Sequence, residues 1–208
     1  MIAIIDYDAG NIMSVQKACA YLGYDYLLTR DRKKILEADH VILPGVGAYA
    51  DAMGKLRTYG LDDTIREAVK RGIPLLGICL GRQLLFEGCD ESLDVGEKKE
   101  TAGLSLLRGR ILRISDQDRT LKVPHMGWNS ITYPRAGRLF QGIPENVYVY
   151  FVHSYYLKAQ DPSIVTARTE YGVTIDASVE KDNIFACQFH PEKSGSRGLK
   201  ILDNFLKV

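Results

Sequence analysis

Four short apolar runs in the N-terminal part of the chain, at residues 1–5, 26–28, 41–43 and 73–78, constrain the fold more than any other feature. Strands with one face in water alternate apolar and polar residues. Uninterrupted apolar runs of this length, bounded by turn signals, are strands buried on both faces. Helical spacing fills the gaps between them. Asn11 is placed to cap a helix over residues 12–22, with Val15, Ala18, Cys19 and Leu22 on one face and Gly23 at its end. Asp62 or Asp63 is expected to cap a second helix that carries Leu61, Ile65, Ala68 and Val69 and is closed by Gly72. Residues 80–87 read as the helix that follows the fourth strand. Successive parallel strands need crossover connections, and helices supply them, so this half predicts a parallel sheet with helices on both faces.

From about residue 105 the pattern changes. Residues 106–114, 128–133, 147–157, 164–170, 173–179 and 184–189 read as strands, separated by turn residues such as Pro134, Gly137, Gly142, Pro144, Pro162 and Asp182. These predict antiparallel additions to the α/β core. Leu199, Leu202, Phe205 and Leu206 lie at the spacing of a closing helix. No linker, repeat or low-complexity tract interrupts the chain, and residues 91–100 form its one strongly charged stretch. The expectation is a single domain over residues 1–208, a length ample for a real core.

Composition narrows the classes of function. The 27 basic residues nearly balance 26 acidic ones, so no charge excess points to nucleic acid or an anionic membrane. The apolar runs are far shorter than the ~20 residues of a transmembrane helix. The N-terminus lacks the basic region of a signal peptide. Four cysteines without C-x-x-C spacing argue against a disulfide framework or a zinc site, and no histidine pair has the short spacing that metals require. A reducing, cytoplasmic setting follows.

Each cysteine must then be explained singly. Gly77-Ile78-Cys79-Leu80-Gly81 stands where a buried strand meets a helix. A nucleophile flanked by glycines at these offsets is the sequence of a nucleophile elbow, a tight turn that lifts the side chain above the sheet's C-terminal edge. The helix beginning there offers free N–H groups and a positive dipole end. Cys19, Cys89 and Cys187 lack this context and read as packing residues. A nucleophile needs a base and the base an orienting group. His190 ends an apolar run and is followed by Pro191 and Glu192, so a strand-end imidazole and a carboxylate two residues on can reach the same edge. Leu43-Pro44-Gly45-Val46-Gly47, also after a strand, can aim backbone N–H groups at a developing oxyanion. No Lys-Ser/Thr follows it, so it is not a phosphate loop.

GICLGRQ, a distant HPE and PGVG after the third strand resemble the triad (class I) glutamine amidotransferases. DYDAGNI, LPGVGAY, PHMGWN and FVHSYY, in that order, are similar to the glutaminase subunits of imidazole glycerol phosphate synthase within that family, over essentially the whole chain. The resemblance implies a flavodoxin-like, three-layer α/β fold and hydrolysis of glutamine to glutamate and ammonia without a cofactor or metal. It implies a triad of Cys79, His190 and Glu192, an oxyanion hole of backbone N–H groups from Val46, Gly47 and Leu80, and substrate contacts from Gly47, Gln83, Glu91, Ser154 and Tyr155. It also implies a (β/α)8-barrel cyclase partner that uses the ammonia to make imidazole glycerol phosphate and AICAR, met through Met126, Trp128, Asn129 and Lys193. A glutaminase feeding a different synthase, and a non-catalytic binding subunit with the same fold, are the competing readings. Two positions depart from the family's habit. Arg82 stands where Met is usual, either facing solvent or adding positive charge beside the elbow, and Asp8 stands where Gly is common.

Overall fold

The computed structural model describes residues 1–10, 12–91, 100–115 and 121–208. The proposed Asn11 cap and most of the charged stretch at 91–100 lie outside the described residues. Chain order begins with β1 (Ile2–Ile5), α1 (Ile12–Tyr21), β2 (Tyr26–Thr29), α2 (Arg32–Leu36), β3 (His40–Leu43), α3 (Tyr49–Thr58), α4 (Leu61–Lys70), β4 (Leu75–Ile78) and α5 (Leu80–Gln83). It continues through β5 (Gly88–Cys89), β6 (Thr101–Ala102), β7 (Gly109–Arg113), β8 (His125–Ile131), β9 (Val147–His153), β10 (Tyr155–Ala159), β11 (Val165–Glu170), β12 (Thr174–Lys181), β13 (Ile184–Cys187) and a closing helix α6 (Gly195–Phe205).

A seven-stranded sheet runs in the order β11-β12-β13-β4-β3-β1-β2. The neighbours from β13 to β2 pair in parallel, whereas β11–β12 and β12–β13 are antiparallel. Alternate residues of each buried strand serve opposite layers. Ala3, Ile5, Val41 and Leu43 pack with Ile35, Met53, Leu56 and Ile65 from α2, α3 and α4. Ile2, Ile4, Ile42 and Leu76 pack on the other face with Val15, Cys19, Ile201 and Phe205 from α1 and α6. This is why β1, β3 and β4 carry no polar alternation: both faces are dry. A four-stranded sheet, β10-β7-β5-β6, and a two-stranded one, β8-β9, are added at the side. Among the described residues no helix is long and apolar enough to cross a membrane.

Several expected boundaries shift. The helix expected over 80–87 stops at Gln83. Leu84, Leu85 and Phe86 are consecutive and all fully buried, which one stripe of an amphipathic helix cannot accomplish. Helix α4 is entered from Gly60 at φ 63°, not from Asp62 or Asp63, which occupy its first turn and complement the helix dipole. The strand expected over 147–157 is two strands broken at Ser154, because β9 pairs with β8 and β10 with β7. The first strand of the second half is shorter, β7, and the next begins earlier, at His125, and ends at Ile131. Asp8 adopts φ 59°, a left-handed conformation at which a glycine is at ease, and is held by an ion pair with Arg30 at 2.6 Å.

Candidate active site

Strand β4 delivers Cys79 into a turn with φ 53° and ψ −111°, a sparsely populated region for a residue bearing a Cβ. The backbone is held there from both sides. The Cys79 N–H donates to Cys187 O at 2.9 Å across the β13–β4 pairing, and Gln83 N–H closes the first turn of α5 on Cys79 O. The flanking glycines are sites of close approach. A Cβ on Gly77 would lie 2.8 Å from Arg82 Cα, and one on Gly81 would lie 1.8 Å from Leu43 O. Elbow and neighbouring strand end thus touch backbone to backbone.

His190 leaves β13 at the same sheet edge. Its N–H donates to Tyr150 O at 2.9 Å, and its carbonyl accepts the Ser194 hydroxyl at 2.6 Å, while Ser194 Oγ accepts Tyr150 N–H. The 3-10 turn Pro191–Lys193 carries Glu192 back onto the ring, with Nδ1 and Oε1 2.7 Å apart and side chains 2% and 1% exposed. Nδ1 is therefore the protonated nitrogen, and Nε2 is left for Cys79. Burial alone would lower the imidazole's affinity for its proton. Interaction with Cys79 and with Glu192 overcomes it and raises the pKa to about 10. Among the described residues Nε2 completes no hydrogen bond of good geometry, as in catalytic pairs before substrate arrives.

The loop after β3 lies over the elbow. Tyr7 Oη donates to Pro44 O at 2.8 Å, and the Leu80 N–H donates to Gly45 O at 3.3 Å. A Cβ on Gly45 would meet that tyrosine oxygen at 2.2 Å, so only glycine lets the loop descend this far. Gly47 adopts φ 102°. The Leu80 N–H, one of the three expected oxyanion donors, is occupied by a protein carbonyl.

Between loop, elbow and β9–β10 lies a cleft of about 220 Å³, lined by Val46, Gly47, Cys79, Leu80, Gln83 and Glu91 with Val152, His153, Ser154 and Tyr155. Every residue expected to touch a small substrate is in that lining, which His190 and Glu192 do not join. Glu91 accepts the N–H of Tyr49, the first residue of α3, whose own cap Ala48 offers no side-chain acceptor.

Met126 and Trp128 are 62% and 54% exposed on β8, and Lys193 is exposed beside the catalytic turn. Trp128 stacks edge-on with Tyr150 across the strand pair, and exposed Tyr148 extends the patch. Asn129 differs from its expected partners. Strand alternation turns it to the opposite face, where its amide donates to Glu170 O at 2.9 Å and approaches His125.

Two features were missed by reading the sequence, and Arg82 settles an alternative that the sequence left open. His153 Nδ1 donates to Tyr155 O at 2.8 Å, so its Nε2 accepts from His125 Nδ1 at 3.0 Å. Burial lowers the two pKa values to about 3 and about 4, so both rings are neutral. Gln188 is fully buried, with its amide Nε2 3.6 Å from Cys79 Sγ. Arg82 does not face solvent: it is fully buried, donating to Gln188 Oε1 at 2.6 Å and to Asp176 O. The register of β8–β9 would have paired the histidines, but a lone polar residue in an apolar strand end carried no signal for Gln188.

The chain is similar to known proteins. The family described as Glutamine amidotransferase class-I matches residues 3–208. A protein of Moorella thermoacetica named imidazole glycerol phosphate synthase subunit HisH is 52% identical over 204 residues, 98% of this chain and 93% of its own length. Its namesake in Dehalococcoides mccartyi is 48% identical over 208 residues, 100% of this chain and 97% of its own. A solved structure described as a glutamine amidotransferase superposes with a TM-score of 0.75 at 19% identity, covering 100% of this chain and 98% of that one, a likeness of fold.

Proposed function

This chain belongs to the class I glutamine amidotransferases, and from that membership and its site we propose that it is the glutaminase subunit of an imidazole glycerol phosphate synthase in histidine biosynthesis, working in the cytoplasm beside a cyclase partner. The observation that carries the reading is the elbow cysteine set against a buried His190–Glu192 pair on adjoining parallel strands. Relatives 52% and 48% identical over nearly the whole chain favour this synthase over another acceptor enzyme.

Cys79 passes its thiol proton to His190 Nε2, and its Sγ attacks the carboxamide carbon of glutamine in the cleft. His190 Nε2 gives its proton to the departing ammonia, and a glutamyl thioester remains on the sulfur. His190 then takes a proton from water as that water releases glutamate. Glu192 holds Nδ1–H and keeps Nε2 aimed at the reacting atoms throughout. Backbone N–H groups of Leu80 and of the Val46–Gly47 segment receive the oxyanion. Gly45 O already occupies Leu80 N–H, so the loop must turn before the intermediate can be held. Removing one such donor costs about 10²–10³ in rate. The free subunit should therefore be slow, and the exposed Met126, Trp128 and Tyr148 patch gives the partner a place to dock next to β9, whose Tyr150 backbone anchors the catalytic turn.

The test is glutamate release by the purified chain, alone and with the cyclase carrying its nucleotide ligand. The expected result is a rise of about 100-fold or more on adding the cyclase. Equal rates with and without it would refute the pairing, and activation by a different synthase would select the other acceptor.

Glu91 lines the same cleft as Cys79, and in this reading it pairs with the α-ammonium of glutamine. Glu91→Gln is expected to raise KM by about 10- to 100-fold with kcat nearly unchanged, since a hydrogen-bonded charge contributes about 1.5–3 kcal/mol. Steady-state kinetics of the complex separate the two constants.

A further inference from the structure

The elbow sulfur has a neighbour that the triad does not use. We propose that Gln188 belongs to the reacting centre: its side-chain N–H, locked in orientation by the buried Arg82 and by Gln83, donates to Cys79 Sγ and stabilises the thiolate. The proposal rests on Cys79 being the nucleophile.

The orientation follows from donor and acceptor chemistry. A guanidinium can only donate, so the Gln188 atom 2.6 Å from Arg82 Nη1 must be the amide oxygen. Gln83 adds a second donor to that oxygen, its Nε2 lying 3.1 Å away. Gln83 is itself pinned, because its Nε2 also donates to Tyr155 O at 3.2 Å. With two donors on its oxygen, Gln188 has its amide NH2 on the other side, 3.6 Å from the sulfur. The flip ambiguity of an amide is removed here by its neighbours.

The energetics point the same way. A fully buried guanidinium is costly unless it is paired, and among the described residues Arg82 finds only the Gln188 oxygen and Asp176 O, with no partner there for Nε. Burial lowers its pKa to about 10, which leaves it charged at neutral pH. A cation on the oxygen end of an amide polarises the N–H end, and such donors act more strongly in a dry site. The thiol's other contact, to Val152 O at 3.8 Å, turns repulsive on ionisation, whereas the Gln188 contact strengthens. The titratable and charged groups around the sulfur are His190, Arg82, Tyr7 and Cys187, with His153 and Glu91 in the lining of the same cleft, Glu192 behind His190 and Asp176 behind Arg82. Arg82 is thus a positioning residue, and Gln188 contacts the reacting atom.

The test is the rate at which iodoacetamide alkylates Cys79, followed on the peptide by mass spectrometry at pH 7 and pH 9 with the complete chain. It needs neither glutamine nor a partner. Gln188→Glu keeps the shape and an oxygen for Arg82 but replaces the N–H facing the sulfur with an acceptor. Its alkylation at pH 7 is expected to be at least about tenfold slower than wild type, with the gap narrowing at pH 9. Arg82→Met, which leaves Gln83 as the one donor holding that oxygen and removes the polarising cation, should be about threefold slower at pH 7 and recover likewise. A purely structural role would lower the melting temperature without this pH-dependent gap. Wild-type rates at pH 7 in folded Gln188→Glu or Arg82→Met would overturn the proposal. A wild-type Cys79 no more reactive than free cysteine would overturn the nucleophile assignment, and this inference with it.

Discussion

Cys79→Gly and Cys79→Ala should both lose glutamine hydrolysis in the activated complex by at least about 10⁴-fold, yet the glycine variant should unfold at the higher temperature. Loss of the sulfur removes the only atom that can carry the thioester. Water activated by His190 and an oxyanion hole alone leaves a small residue of catalysis. The difference in stability isolates the elbow itself. Both variants lack the sulfur, but alanine keeps a Cβ at φ 53° and ψ −111°, whereas glycine is free of that clash. Release of the strain is worth about 1–2 kcal/mol, less the chain entropy that glycine gives up. Thermal unfolding of the two variants measures it. Glycine and alanine variants of equal melting temperature would mean that the turn stores no strain. The site would then hold a cysteine at no conformational cost.

Gly81→Ala is expected to have the largest effect on folding. The added methyl would sit 1.8 Å from Leu43 O and 2.7 Å from Leu43 C, both backbone atoms at the end of β3. No side-chain rotation relieves such a contact, so β3 and α5 must separate where their approach forms the cleft. The destabilisation should be about 4 kcal/mol or more, a large share of the roughly 5–15 kcal/mol that holds a domain together. Little folded protein should be recovered, and what folds should melt roughly 10 °C lower or worse. Gly54 in α3 is the control. A Cβ added there would meet nothing within 4 Å, so Gly54→Ala should stabilise by about 0.5–1 kcal/mol.

Much of this architecture was legible in the residues for a physical reason. Strands dry on both faces must be apolar throughout, so β1, β3 and β4 announce themselves. The elbow was legible because two backbones meet at Gly77 and Gly81, where a Cβ would collide. Val46, Gly47, Gln83, Ser154 and Tyr155, which lie in the quoted motifs, line one cleft together with Glu91. What escaped depended on pairing or orientation. The end of α5 is set by three buried residues seeking the core, not by a breaker. The sequence left Arg82 either in solvent or beside the elbow, and its burial against Gln188 decides for the second. Asn129 shares a motif with Trp128 but, one position along a strand, faces the other way. Gly45 O occupying Leu80 N–H is a choice of peptide orientation that no residue type reveals.

The place of β13 has a consequence for how the protein is made. This strand comes late in the chain, yet it sits inside the sheet between β12 and β4. As synthesis proceeds from the N-terminus, β1 to β4 can pair first, leaving apolar Leu75–Ile78 with an open edge until nearly the whole polypeptide has emerged. A nascent chain is therefore sticky at that edge and chemically inert, because the cysteine emerges long before its histidine. The insertion that seals the edge is the same event that arms the sulfur, so an unfinished copy cannot drain the cell's glutamine.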